Sequence, residues 1–237
     1  MKIELKKKPK NPIIIEGFPG FGLVGTIASE FLIDHLKTEQ IGKLWMHELP
    51  AMVAIHEGQV VEPIGVFYNK KYNIIIVHGI IGVQGLESKI TDAIIDMAKT
   101  LKAKEIISLE GIGSSTPSEQ TNVFFYTSDQ KRANSLKKTG CNVLKEGIVM
   151  GTTGILLLKS EKTLPVTSIF AETHSELPDS KAAAKVVEVL DKYLGLNVDY
   201  KPLLKQAEKF ESKLKELLSK SQKISDEQKK KKLSYVG

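Results

Sequence analysis

The chain has 237 residues, of which 41% are hydrophobic, and carries a formal net charge of +6. That is enough for one large domain or two small ones with a sizeable core, and it argues against global disorder. A single cysteine, Cys141, excludes an intrachain disulfide framework or a cysteine zinc site and favours a reducing, cytosolic setting.

The N-terminus is basic, but the apolar run after it, Ile13 to Ile15, is too short for a signal-peptide core, and no apolar stretch approaches a membrane span. The charge excess is local. Residues 201–237 hold 11 of the 34 basic and 5 of the 28 acidic residues, leaving 23 of each in the first 200. A neutral body weakens the case for a nucleic-acid-binding face, because such a face requires basic residues interleaved with aromatics in the domain itself. A lysine-rich tail reads first as a solvated segment, or as one that steers a partner.

In chain order, Ile13–Glu16 reads as a short buried strand. Leu23–Leu36 reads as a helix with Leu23, Ile27 and Phe31 on one face. Ile41–Glu48 and Met52–Glu57 are extended, separated by Leu49-Pro50, and Val60–Tyr68 reads as one further strand. Asn73–Gly79 is a strong buried strand, followed by a helix over Leu86–Leu101 with Ile90, Ile94, Met97 and Leu101 on one face. Glu105–Gly113 is a strand running into a glycine loop, and Val123–Ser128 is a strand.

Ser128-Asp129 caps a helix running to Lys138, which Gly140 ends. Cys141–Leu144 is a short strand, Gly154–Leu158 fits helix or strand, and Pro165–Thr173 is a strand. Pro178-Asp179 opens a helix through Leu194, stopped by Gly195. Strands alternating with helices predict an α/β fold with a largely parallel sheet flanked by helices.

Leu203, Ala207, Phe210, Leu214 and Leu217 form a heptad seam. It suits an amphipathic helix, packed either on its own domain or against a partner or symmetry mate. The chain thus divides into an α/β domain over 1–199, a helix over 200–224 and a flexible basic tail over 225–237. The tail ends in Leu233, Tyr235, Val236 and Gly237.

Gly20, Gly22 and Gly25 stand as G-x-G-x-x-G between a strand and a helix, where a dinucleotide fold places its pyrophosphate. Against this, Pro19 lacks an N–H and Phe18 and Phe21 crowd the loop. These glycines equally suit a turn with positive φ and close helix–strand packing. No lysine follows in a Walker arrangement, no G-x-S-x-G is present, and no H-E-x-x-H spacing supports a zinc site, so no metal is expected. His47-Glu48 and His56-Glu57 are doublets whose members point to opposite faces of a strand. The one enzyme-like constellation is at strand ends, where open α/β sheets bind ligands: Glu16, His78, Glu110 and Glu172 are expected on one rim.

The stretches "EGFPGFGLVGTIASEFLIDHL" (Glu16–Leu36), "LPAMVAIHEGQV" (Leu49–Val60), "IIIVHG" with its glycine loop, "GTTGILLL" (Gly151–Leu158) and "LPDSKAAAKVVEVLDKYLGLNVD" (Leu177–Asp199) resemble the PAC2, or proteasome assembly chaperone 2, family in its archaeal form. The G-F-P-G-x-G-L-V-G element carries most of the specificity, and the likeness covers roughly Pro12 to Asp199. The resemblance implies a phosphorylase-like α/β fold, no established catalytic site, no cofactor, and homo-oligomers that assist assembly of, or bind, the core proteasome or its α subunits. It also makes the glycine loop a scaffold turn.

Some proteasome partners end in hydrophobic–Tyr–any residue, a tail that inserts between α subunits. Here Tyr235 is third from the end, so the terminal carboxylate sits one residue further along, about 3.3 Å when extended. The alternative to a cytoplasmic, non-enzymatic chaperone is a nucleoside- or nucleotide-binding protein that uses Gly20, Gly22 and Gly25 with Glu16, His78 and Glu172. A third reading binds nucleic acid through the lysine tail.

Overall fold

The computed structural model describes residues 2–50, 52–56, 58–113, 121–160, 164–173, 177–203, 216, 219 and 220. Its elements follow the chain as β1 Lys2–Leu5, β2 Ile13–Gly17, α1 Val24–His35, β3 Glu39–Trp45, β4 Ala54–His56, β5 Gln59–Val61, β6 Ile64–Asn69 and β7 Ile74–Gly79. Then come α2 Glu87–Leu101, β8 Glu105–Gly113, β9 Val123–Thr127, α3 Gln130–Lys137, β10 Asn142–Val143, α4 Gly151–Leu158, β11 Val166–Thr173 and α5 Ser180–Leu194.

Nine strands form one sheet in the order β1-β3-β6-β7-β2-β8-β11-β9-β10, while β4 and β5 form a separate hairpin. The four central strands β7, β2, β8 and β11 are parallel. Both margins are reached through antiparallel pairs, β6 on β7 and β9 on β11. The centre is parallel because α1, α2 and α4 supply the crossovers that parallel strands require. The central strands are continuous apolar runs, as burial on both faces demands.

Two apolar layers result. Ile15, Ile76, Ile107 and Ile169 pack under α1 and α5, whereas Ile14, Val77, Ile106 and Val166 pack under α2 and α4. Alternation along each strand therefore decides which helical layer a side chain meets.

Helix ends follow the chemistry of their caps. Asp129 accepts the Arg132 N–H and Asp179 the Ala182 N–H, each at 2.9 Å, and Gly195 ends α5 in the left-handed region at φ +67°. The segment read as one strand over Val60–Tyr68 is two, broken at Glu62-Pro63, since proline cannot continue a hydrogen-bonded ladder. Gly154–Leu158, which fitted either state, belongs to α4. Among the described residues no helix is long and apolar enough to cross a membrane.

Candidate functional site

The glycine loop lies at the C-terminal ends of the central strands. Phe21–Leu23 make a single tight turn, with Gly22 at φ +61° and Leu23 at φ +52°, before α1 starts. Each glycine answers a close approach. A Cβ at Gly25 would lie 2.2 Å from the Leu109 carbonyl oxygen, so Gly25 lets α1 pack directly on β8. A Cβ at Gly20 would lie 1.8 Å from Glu110 Oε1.

The neighbour of Gly20 is thus the chain's own carboxylate. Glu110 accepts N–H groups from Phe21 and Gly111 and the hydroxyl of Thr153 at 3.2 Å. The loop is also tied to the start of α5, because the Asp179 N–H donates to the Gly22 carbonyl at 2.8 Å and Thr173 Oγ1 donates to Asp179.

Glu16 and Glu110 come together on the α4 side of the sheet. Ser108 and Thr153, 2.7 Å apart through their hydroxyls, stand between them. Burial raises the Glu16 pKa from 4.5 to about 8, with the nearby Glu110 carboxylate adding to the rise, and burial raises Glu110 to about 7. Glu16 Oε1 has no hydrogen-bond partner among the described residues. A protonated, uncharged Glu16 suits so dry a place. Glu172 lies one same-face position beyond Phe170, the β11 partner of Glu110, and accepts from the Asn122 side chain at 2.7 Å.

His78 does not join them. Glu16 pairs with Val77 and Gly17 with His78, so Glu16 and His78 point to opposite faces of the sheet. The imidazole lies under α1, its Nδ1 2.8 Å from Ser29 Oγ and its Nε2 2.7 Å from a Glu30 carboxylate oxygen without hydrogen-bond alignment. Ser29, His78 and Glu30 imitate a hydrolytic triad in composition only. Ser29 and His78 are buried, Ser29 Oγ lies 3.0 Å from the Thr26 carbonyl oxygen, and it sits 2.5 Å from where a Cβ on Gly17 would stand. The group anchors α1 on β7 and leaves no space for a substrate.

Among the described residues no cluster of three or more His, Cys, Asp or Glu is arranged to hold a metal. Of the heptad seam, Leu203 is buried in the α1–α5 layer. Ala207, Phe210, Leu214 and Leu217, the tail residues Leu233, Tyr235, Val236 and Gly237, and His174 lie outside the described residues.

Apolar surface that the sequence reading did not single out is exposed in two places. Beside β9, Tyr126, Val149 and Met150 ahead of α4, and Leu158 at its end line an open groove of about 500 Å³. Met150 is 76% exposed, Leu158 83% and the adjoining Ile148 90%. The cause is topological. On the opposite face α3 packs on β9 and β10, whereas on this face α4 packs on β8 and β11 and leaves Tyr126 of β9 45% exposed. Where β3 ends and β6 begins, beside the C-terminal end of β7, the β4–β5 hairpin packs partly buried Met52, Ala54 and Val61 against the α2 layer and turns Val53, Ile55 and Val60 outward. Alternation along the sequence marked the hairpin strands, but not that their second face would stay uncovered.

The PAC2 family model matches residues 14–218. The chain belongs to the PAC2 family. A curated relative, an uncharacterised protein of Methanocaldococcus jannaschii, is 30% identical over 231 residues, covering 96% of this chain and 94% of its own length. Among solved structures, this PAC2 chain is similar to PbaA of Pyrococcus furiosus, an archaeal homologue of proteasome-assembly chaperone, with a TM-score of 0.84 and 34% identity over 95% of this chain and 99% of that one. It is also similar to PbaB of the same organism, an archaeal proteasome activator, with a TM-score of 0.75 and 25% identity over 91% of this chain and 98% of that one. The mixed α/β fold described above is thus the PAC2 fold, and the G-F-P-G-x-G-L-V-G loop sits in it beside Glu110.

Proposed function

We propose that this PAC2 protein is a cytoplasmic, non-enzymatic partner of the proteasome that acts as a homo-oligomer, either in assembly of the core particle or in binding it. The observation that carries this reading is the likeness to PbaA over nearly the full length of both chains. The chain's own chemistry supports it. Glu110 stands beside Gly20 at the strand ends, and Ser29 and His78 are buried. A protein that works through surfaces needs neither site open.

In this reading the α/β domain over 1–199 is the scaffold, the helix over 200–224 adds to the oligomer or presents the tails, and the segment 225–237 reaches the proteasome. Several copies present several tails, and linked copies gain avidity without any new contact. The core particle or its α subunits are the partner. Leu233 and Tyr235 supply apolar and aromatic anchors, though they are separated by Ser234 and so depart from the hydrophobic–Tyr–any-residue pattern.

The test uses full-length protein and assembled core particle in a pull-down, with and without Ser234–Gly237. Loss of binding on truncation is the expected result, and unchanged capture removes the tail from the reading. Leu214→Glu tests the seam: sedimentation should show a smaller species, and an unchanged one assigns the helix to the tails alone.

A further inference from the structure

The first 200 residues are neutral in sum, but the fold does not spread their charge evenly. β2, β7 and β8 start in register, with Ile13 beside Ile74 on one side and Glu105 on the other. The connections that lead into these strands therefore meet at one end of the sheet, opposite the glycine turn. They read KKKPKNP (6–12), KKYN (70–73) and KAK (102–104), with four, two and two lysines and no acid.

Hydrogen bonds tie the three connections into one platform. The Asn11 N–H donates to the Leu101 carbonyl at 2.9 Å, the Lys104 N–H to Pro12 at 2.8 Å and the Ile13 N–H to Asn73 at 3.1 Å. The Asn73 side chain donates in turn to the Lys10 and Asn11 carbonyls. Lys8, Lys10, Lys70, Lys71, Lys102 and Lys104 are exposed, and among the described residues none of them has an ion-pair partner. Acids nearby are engaged elsewhere, Glu39 with Lys7 at 2.6 Å and buried Glu105 with Arg132 at 2.8 Å. Helix ends account for only part of the excess. Lys102 follows the C-terminus of α2, where a cation offsets the last carbonyls, whereas Lys70 and Lys71 join two strands and follow no helix.

We propose that this lysine platform binds an acidic protein segment, a stretch of chain rich in Asp and Glu carboxylates. Nucleic-acid recognition draws on arginine forks, stacked aromatic rings and helix N-termini. The chain's single arginine, Arg132, is held by Glu105, Asp129 and the Lys104 carbonyl. Tyr72 is half-buried and its hydroxyl donates to the Leu196 carbonyl, and α2 meets this end by its C-terminus. No large apolar side chain is exposed within the three connections to enter a lipid surface. Ammonium groups held on tied loops suit carboxylates on another protein, and such attraction speeds encounter and fades with salt. The surface lies outside residues 200–237, so it is independent of the roles given to the helix and the tail.

Lys10→Glu, Lys70→Glu and Lys104→Glu, combined in the full-length chain, reverse the platform. Lys229→Glu, Lys230→Glu and Lys231→Glu make the same change of net charge in the tail. Fluorescence anisotropy of a labelled deca-glutamate peptide gives the affinity at physiological salt, beside a labelled DNA duplex and phosphatidylserine vesicles. Unchanged circular dichroism shows that the fold is kept, and Lys→Gln at the same positions repeats the experiment if a glutamate variant does not fold.

Expected are binding of the peptide by the unaltered chain, a loss of about tenfold or more in the platform variant and less than about twofold in the tail variant, and weaker binding of DNA and vesicles. Equal losses in the two variants, or a loss in the tail variant alone, overturn the assignment to the platform. Tighter binding of DNA or vesicles than of the peptide overturns the class of partner. No binding of the peptide by the unaltered chain overturns the proposal as a whole.

Discussion

The glycine turn with its polar neighbours and the exposed apolar surfaces use the same α/β framework in opposite ways. At the strand ends polar side chains turn inward on one another. Glu110 stands beside Gly20, Ser108 and Thr153 bridge toward Glu16, and His78 is held between Ser29 and Glu30. Elsewhere apolar side chains turn outward, with Ile148, Met150 and Leu158 beside β9 and Ile55 and Val60 on the β4–β5 hairpin. Concave sites at strand ends are the default ligand positions in open α/β sheets. Here the chain's own Glu110 stands there beside Gly20, and apolar surface is exposed elsewhere, as recognition of another protein requires.

The contrast breaks most sharply at the glycine turn. Gly25→Val places branched carbon against the Leu109 carbonyl, with no flexible side chain to yield. It is expected to cost about 3 kcal/mol or more, read as a lower urea midpoint; a midpoint within error of the parent contradicts the close α1–β8 packing.

The buried carboxylates come next. Glu16 and Glu110 have folded pKa values raised from 4.5 to about 8 and about 7. The folded state therefore holds protons that the unfolded chain releases above pH 4.5, so their stabilisation is full below that pH and is lost as pH rises toward about 8. Glu16→Gln keeps a neutral polar side chain and removes one titration. Its stability should fall less steeply between about pH 6 and 8, by at most about 1.4 kcal/mol per pH unit. Parallel stability–pH curves for variant and parent would contradict a raised Glu16 pKa.

Substitution on the exposed apolar surfaces should barely touch the fold. In dilute, single-chain protein Leu158→Ser is expected within about 0.5 kcal/mol of the parent, while a large loss would show that Leu158 supports the core. Smallest of all is the response to ligands. Phosphate, nucleosides and dinucleotides should leave the thermal midpoint unmoved, whereas a ligand at a thousandfold excess over its dissociation constant would add roughly 4 kcal/mol and reopen the nucleotide reading.

Most elements were legible because their signals are local. The Ile13–Ile15 and Ile74–Ile76 runs mark buried strands, Ile90 and Ile94 mark a helical face, and Asp129 and Gly140 punctuate α3. β1 was hidden because Lys2 and Glu4 surround its apolar residues on an edge strand, and edge strands tolerate charge. α4 was ambiguous because eight residues with two glycines hold too little periodicity.

The rim was legible only in part, because strand ends can be read from sequence whereas register cannot. One residue of offset between β2 and β7 separates His78 from Glu16 by the thickness of the sheet. That Glu110 would enter the glycine turn depends on a contact between residues 90 apart in sequence, which no local pattern encodes. The exposure of Tyr126 on β9 follows from where α4 packs in three dimensions.

The most direct measurement mixes the full-length protein with separately produced proteasome α subunits, β subunits and assembled core particle, and reads the species by native mass spectrometry. A complex with free subunits identifies an assembly chaperone, and one with the finished particle identifies a binding partner. The account predicts one or the other. Binding to none of the three would contradict it.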